Sequence, residues 1–121
     1  MILGLHHLEL AFREGEEEAG RRFWNGVLGL PEIPKPLTLD AHGCWFRLPD
    51  GRELHLGCAG EFAPATKAHP AFAVADIDTV AAALTAAGHP VKWDTRLERR
   101  RFYSADPWGN RLEFTESSPS R

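Results

Sequence analysis

Cysteine is scarce in this chain of 121 residues: Cys44 and Cys58 are the whole supply, and they form no Cys-x-x-Cys pair. With no secretory signal in view either, a reduced, cytoplasmic setting is expected. Basic residues are not in excess. Fourteen Lys and Arg stand against seventeen Asp and Glu, a formal net charge of -3, and no basic stripe interleaves with aromatics, so nucleic acid is not an expected partner. The Arg99-Arg100-Arg101 run is short enough for a solvated turn. Long apolar runs are missing too, which excludes a bilayer-spanning helix. What remains is ordinary for one soluble globular domain, with 43% hydrophobic and 26% charged residues and enough length to bury a core without staples.

The most informative stretch is Arg101 to Phe114. Phe102 and Tyr103 open a strand, Asp106-Pro107-Trp108-Gly109-Asn110 makes a turn, and Arg111 to Phe114 begins another strand. Strand side chains alternate, so Leu112 and Phe114 share one face and Glu113 takes the other. The same piece occurs earlier in the chain. Pro107-Trp-Gly-Asn-Arg-Leu-Glu-Phe114 lies over Pro49-Asp-Gly-Arg-Glu-Leu-His-Leu56, which sets Glu113 on His55 and Tyr103 on Trp45. Upstream of each copy a histidine opens a strand, His7 in the first and His69 in the second.

Read in order, residues 5–12 alternate as a strand with His7 and Glu9 on one face and Leu8, Leu10 and Phe12 on the core face. Glu14 to Leu28 reads as a helix with an acidic first turn, an Ala19-Phe23-Val27 stripe, and Gly29 as its stop. Leu30 to Leu39 carries three prolines and suits an edge or irregular strand; Cys44 to Leu48 and Glu53 to Gly57 are strands about the Pro49-Asp50-Gly51 turn. After an Ala/Pro/Gly-rich linker the order restarts. His69 to Ala75 is a strand, Asp76 caps a helix bearing Ile77, Val80, Ala81 and Leu84 that ends at Gly88, and Val91 to Asp94 is a short strand. The division is module 1 over 5–57, a linker over 58–68, module 2 over 69–115, and a tail over 116–121, expected to be disordered. Each module is strand, helix, three strands. The apolar strand faces and helix stripes predict an α+β fold in which the sheets form an incomplete barrel around a central cavity, helices outside.

A duplicated βαβββ module ending in Asp-Pro-x-Gly-Asn-Arg-Leu-Glu resembles the vicinal oxygen chelate superfamily, which includes glyoxalase I, bleomycin resistance proteins, fosfomycin-modifying enzymes and extradiol dioxygenases. Phe23-Trp24-Asn25-Gly26-Val27-Leu28-Gly29-Leu30 and His69-Pro-Ala-Phe also look like its signatures, and the likeness runs from Leu5 to about Thr115. It implies a divalent ion (Zn, Mn, Fe, Ni or Co) on His7, His69 and Glu113, with His55 at the variable fourth position. Imidazoles and a carboxylate suit a borderline divalent ion. Such an ion would bind neighbouring oxygens of a small molecule, in a lyase, isomerase or dioxygenase reaction, with Glu113 also serving as a base. The alternative is a metal-free binder of the bleomycin-resistance type that sequesters an aromatic or drug-like ligand. Glu9, Trp45, Arg47 and Tyr103 are the expected substrate-pocket residues. Glu9 stands where fosfomycin transferases are expected to carry threonine, which disfavours that substrate. Arg47, Lys67 and Arg101 are candidates for meeting an anionic group, with surface packing the favoured reading for Lys67 and Arg101, and His6, His42 and His89 are placed outside the site. A homodimer is implied by the resemblance.

Overall fold

The computed structural model describes residues 1–117, and the end of the expected tail lies outside the described residues. The chain divides into two compact units, Met1–Pro64 and Ala65–Arg121, with the cut inside the expected linker. Unit 1 contains β1 (His7–Phe12), α1 (Glu17–Arg21), a π-helical stretch (Arg22–Val27), β2 (Glu32–Ile33), β3 (Cys44–Arg47) and β4 (Glu53–Cys58). Its sheet runs β1-β4-β3-β2, with β1 parallel to β4 and the other pairs antiparallel. Unit 2 contains β5 (Ala71–Val74), α2 (Ile77–Ala86), β6 (Lys92–Trp93), β7 (Arg101–Ala105) and β8 (Arg111–Glu116) in the order β5-β8-β7-β6, again with only the outer pair β5/β8 parallel. Both units are therefore βαβββ modules with an open four-stranded sheet.

Period-two alternation sets which residues each sheet buries. In unit 1, Leu10, Phe12, Phe46, Leu54 and Leu56 are buried together with the helix residues Phe23 and Trp24. In unit 2, Phe102, Leu112 and Phe114 are buried, as are Ile77 and Leu84 of α2, and Phe114 stacks between Phe72 and Phe102. Each helix lies against its own sheet, α1 on β3 and α2 on β8. α2 begins as expected: Asp76 accepts the Thr79 N–H at 3.1 Å, and Gly88 takes a positive φ of 87° just past its end.

The first helix differs from its expected form. Regular α-helix starts at Glu17 rather than Glu14 and gives way at Arg22 to wider turns, with the Leu28 N–H reaching back five residues to the Phe23 carbonyl. The widening brings adjacent side chains inside together. Trp24, absent from the Ala19-Phe23-Val27 stripe, is buried edge-to-face on Phe23 with ring centroids 5.0 Å apart. The proline-rich segment forms only the two-residue β2, where missing N–H donors leave little to pair.

The two β-turns that precede the last strands share one backbone plan. Leu48 N–H bonds Arg52 O and Gly51 N–H bonds Leu48 O; Asp106 N–H bonds Asn110 O and Gly109 N–H bonds Asp106 O. Gly51 and Gly109 both have φ of 89°, a region that favours glycine. In the second turn the side chains are buried and add a network. Asp106 accepts from the backbone of Trp108 and Asn110 and from the Asn110 amide at 2.8 to 3.0 Å, while Asn110 Oδ1 accepts the Ala65 N–H. Burial raises the Asp106 carboxyl above its ordinary value despite these donors.

Candidate functional site

In unit 1 the parallel pairing of β1 with β4 sets His7 opposite Glu53 and Glu9 opposite His55, while β3 sets Trp45 on the other side of His55. His55 is buried at 4% exposure, and aromatic rings cover both its faces. Trp45 is stacked at 3.8 Å with 1° between planes, and His7 at 4.2 Å with 18°. At the ring edge, His55 Nε2 lies 2.9 Å from Glu53 Oε1. That hydrogen bond holds the Glu53 carboxyl below its usual value, so the oxygen is an acceptor and Nε2 carries the proton. His7 Nδ1 meets His6 Nδ1 at 3.1 Å. The Glu9 carboxylate lies over Gly57, where an added Cβ would stand only 2.8 Å from Glu9 Cδ.

Unit 2 carries the equivalent group with different chemistry. Glu113 is 4% exposed although its strand neighbours Leu112 and Phe114 fill the core side, so both faces of β8 are covered here. Its Oε1 lies 3.0 Å from His69 Nε2, and the His69 Nδ1 lies 3.1 Å from the Lys67 carbonyl. A carbonyl oxygen only accepts, so Nδ1 carries a proton. A proton on Nε2 or on the carboxyl completes a hydrogen bond with Glu113 at the other end of the ring, and both atoms are of the kinds that bind a borderline divalent ion.

Arg101 steadies the carboxylate from the other side. Its Nη1 reaches Glu113 Oε2 at 3.4 Å and the Tyr103 hydroxyl at 3.1 Å, and Nη2 reaches Asp94 Oδ2 at 2.8 Å. Hydrogen bonds from Arg96 and the charge of Arg101 hold Asp94 far below the usual carboxylate range. Placement of Arg101 on the surface is thus corrected: its side chain is 12% exposed, because β7 starts at this residue and turns it to the Tyr103 face. Tyr103, opposite Glu113 in the sheet, meets the His69 ring edge-on at 5.4 Å, and the Arg111 guanidinium lies 4.0 Å over its face.

The four expected ligands thus form two pairs, His7 with His55 and His69 with Glu113. Among the described residues no three His, Cys, Asp or Glu side chains form a group that could hold a metal ion. Of the other pocket residues, Trp45 and Tyr103 sit directly on the pairs, Glu9 is beside them on β1, and Arg47 is exposed opposite Glu53. A cleft of about 420 Å³ at the β6–β7 connection is lined by residues including Trp93, Asp94, Leu97 and Arg101 but by none of these four, and it meets the Glu113 network through Asp94 and Arg101. His6 stays exposed before β1, His42 pairs with Glu14 at 3.0 Å, and His89 Nδ1 bonds the Ala105 carbonyl. Glu53, Asp94 and Arg111 were not expected. The repeat held the signal for two of them: Glu53 and Arg111 both stand four residues after the aligned prolines and two before His55 and Glu113. No helix among the described residues is long and apolar enough to cross a membrane.

The sequence profile of a family described as a glyoxalase-like domain matches residues 9–115. A solved glyoxalase family protein from Bacillus anthracis is 41% identical, with 98% of each chain covered and a TM-score of 0.90. A glyoxalase/dioxygenase from Nostoc punctiforme is 23% identical over 96% of this chain and 92% of that one, TM-score 0.77. A mutant of the fosfomycin resistance protein FosX from Listeria monocytogenes, complexed with Mn(II) and 1S,2S-dihydroxypropylphosphonic acid, is 20% identical over 99% and 96%, TM-score 0.82. These last two likenesses are of fold. Among curated proteins none matches the sequence.

Proposed function

Because the chain belongs to the glyoxalase-like domain family, we propose that it is a metal-dependent enzyme acting on a small molecule with two neighbouring oxygens. The supporting observation is the His69–Glu113 contact, in which a ring already committed at Nδ1 to a carbonyl faces a carboxylate at 3.0 Å. Histidine ligands of metals typically donate their second N–H to such a backbone carbonyl. The donor set of His7, His55, His69 and Glu113 fits a borderline divalent ion such as Zn, Mn, Fe, Ni or Co. Mn(II) is the ion in the FosX complex of the same fold. When bound, the ion supplies Lewis acidity toward the substrate oxygens.

The chain's own residues do the rest. Glu113 is the proposed base and takes the substrate proton at Oε1, while Arg101 keeps hold of Oε2 and limits its rotation. Trp45, Tyr103, Glu9 and Arg47 contact the substrate, the first two as flat walls. The class of reaction is lyase, isomerase or dioxygenase, and the chain works as a homodimer. A single mass at the monomer value across micromolar concentrations speaks against the dimer.

Element analysis of the purified protein, beside His7→Ala and Glu113→Ala, tests the metal reading. Each of the five metals is then supplied in turn and α-hydroxy-carbonyl thioadducts, catechols and epoxides are screened for turnover. Ligand binding that survives both chelation and the loss of His7 sinks this reading in favour of a metal-free sequestering protein.

A further inference from the structure

Arg111 differs from the arginines around it. Arg96 and Arg101 are paired with Asp94 and Arg100 with Asp78, and Arg99 donates to the Thr115 hydroxyl. Among the described residues, no carboxylate ion-pairs with Arg111. The guanidinium instead lies over the Tyr103 ring, 4.0 Å from its centroid, and donates a long hydrogen bond to the Lys67 carbonyl at 3.5 Å. A guanidinium stacked in this way keeps its N–H donors at its edge, in a fork that matches a carboxylate or a phosphate-type oxyanion. Stacking also fixes the side chain in advance, so less rotamer freedom is lost when a ligand arrives.

Its position gives the fork a use. Arg111 is two residues before Glu113, hence on the same face of β8, and it does not turn toward that carboxylate. Tyr103 carries the guanidinium on its face and the His69 ring against its edge at 5.4 Å. One small molecule can therefore reach both the His69–Glu113 pair and Arg111. From this arrangement we infer that Arg111 is an anion-binding residue, and that the substrate carries an oxyanion group, carboxylate or phosphate-type, beyond its two chelating oxygens. The inference rests on the proposed function for its chelating half, while the anion contact stands on Arg111 and Tyr103 alone. Selection works by charge: a neutral analogue of equal shape gives the guanidinium no counter-charge.

The test compares 3,4-dihydroxybenzoate with 3,4-dihydroxybenzamide, which share vicinal oxygens and shape and differ in charge. Calorimetric titration into the Mn(II)-loaded protein should favour the benzoate by about 10-fold or more, as a charge-assisted hydrogen bond provides. Arg111→Gln should erase that preference and leave Mn(II) affinity as in the parent; Arg111→Lys should retain part of it. Equal binding of the two probes by the parent, or a preference intact in Arg111→Gln, overturns the inference. A second arm needs no metal. Inorganic phosphate titrated into the metal-free protein should shift the Arg111 Nε–H resonance saturably. No shift there, with Mn(II) still bound in the first arm, removes the anion site and spares the metal reading. A saturable shift in a protein that takes up no Mn(II) does the reverse.

Discussion

Along β4, module 1 places Glu53, His55 and Gly57 where module 2, along β8, places Arg111, Glu113 and Thr115; across the sheets Trp45 answers to Tyr103 and Glu9 to Ala71. The backbone plan is common to both, down to the hydrogen bonds of the turns at Leu48–Arg52 and Asp106–Asn110. The polarity is reversed. In module 1 the buried donor is an imidazole kept in place by a carboxylate; in module 2 it is a carboxylate kept in place by a guanidinium. A repeat therefore fixes where a functional side chain stands, and its neighbours decide which charge can be buried there. Each buried group is matched with a partner of opposite character, as burial of an ionisable side chain requires.

The comparison can be broken at the donors themselves. Glu113→Ala removes the only carboxylate of the proposed ligand set, and Mn(II) affinity should fall by more than the roughly 100-fold seen when outer-shell partners are lost. His55→Ala should fall less, since its Nε2 already serves Glu53. Equal losses measured by calorimetry would mean the two modules contribute alike. Next come the turns. Asp106→Ala leaves three buried donors without their acceptor and should cost about 3 kcal/mol in urea unfolding. Asp50→Ala, in the exposed turn of module 1, should leave the urea midpoint nearly unchanged.

A smaller effect separates the helices. Asp76→Ala should lower the midpoint of thermal or urea unfolding, by less than Asp106→Ala does, because its side chain caps α2. The Thr79 N–H holds the Asp76 carboxyl below its ordinary value in the folded protein. A lowered folded value means the cap contributes fully above about pH 4 and is lost as the pH falls through that lowered value. The difference between parent and Asp76→Ala should therefore shrink on acidification; an unchanged difference at pH 2 would reject the cap as its source.

Much of this was legible in the sequence. Alternation placed Leu10, Phe12, Leu112 and Phe114 on core faces, and the aligned prolines put His55 on Glu113 and Trp45 on Tyr103. Local patterns failed where the signal was not local. The π-helical stretch is invisible to a 3.6-residue stripe, so Trp24 was missed. Arg101 looked like part of a solvated basic run, but the strand begins at that residue and turns it inward while Arg99 and Arg100 stay outside. Burial of Glu113 against Arg101 and His69 depends on residues far apart in the chain, which periodicity does not encode.

Glu9 and Gly57 carry a consequence for how this chain can change. A side chain at 57 would stand 2.8 Å from the Glu9 carboxyl carbon, so the long residue on β1 is tolerated because β4 offers nothing beneath it. Module 2 solves the same contact the other way round, with the small Ala71 on β5 and Thr115 on β8. Because the crowded Glu9 atoms are the free end of a flexible side chain, a methyl group at 57 would re-aim the Glu9 carboxylate rather than disrupt the sheet, and Gly57 thereby sets where that carboxylate lies beside His55.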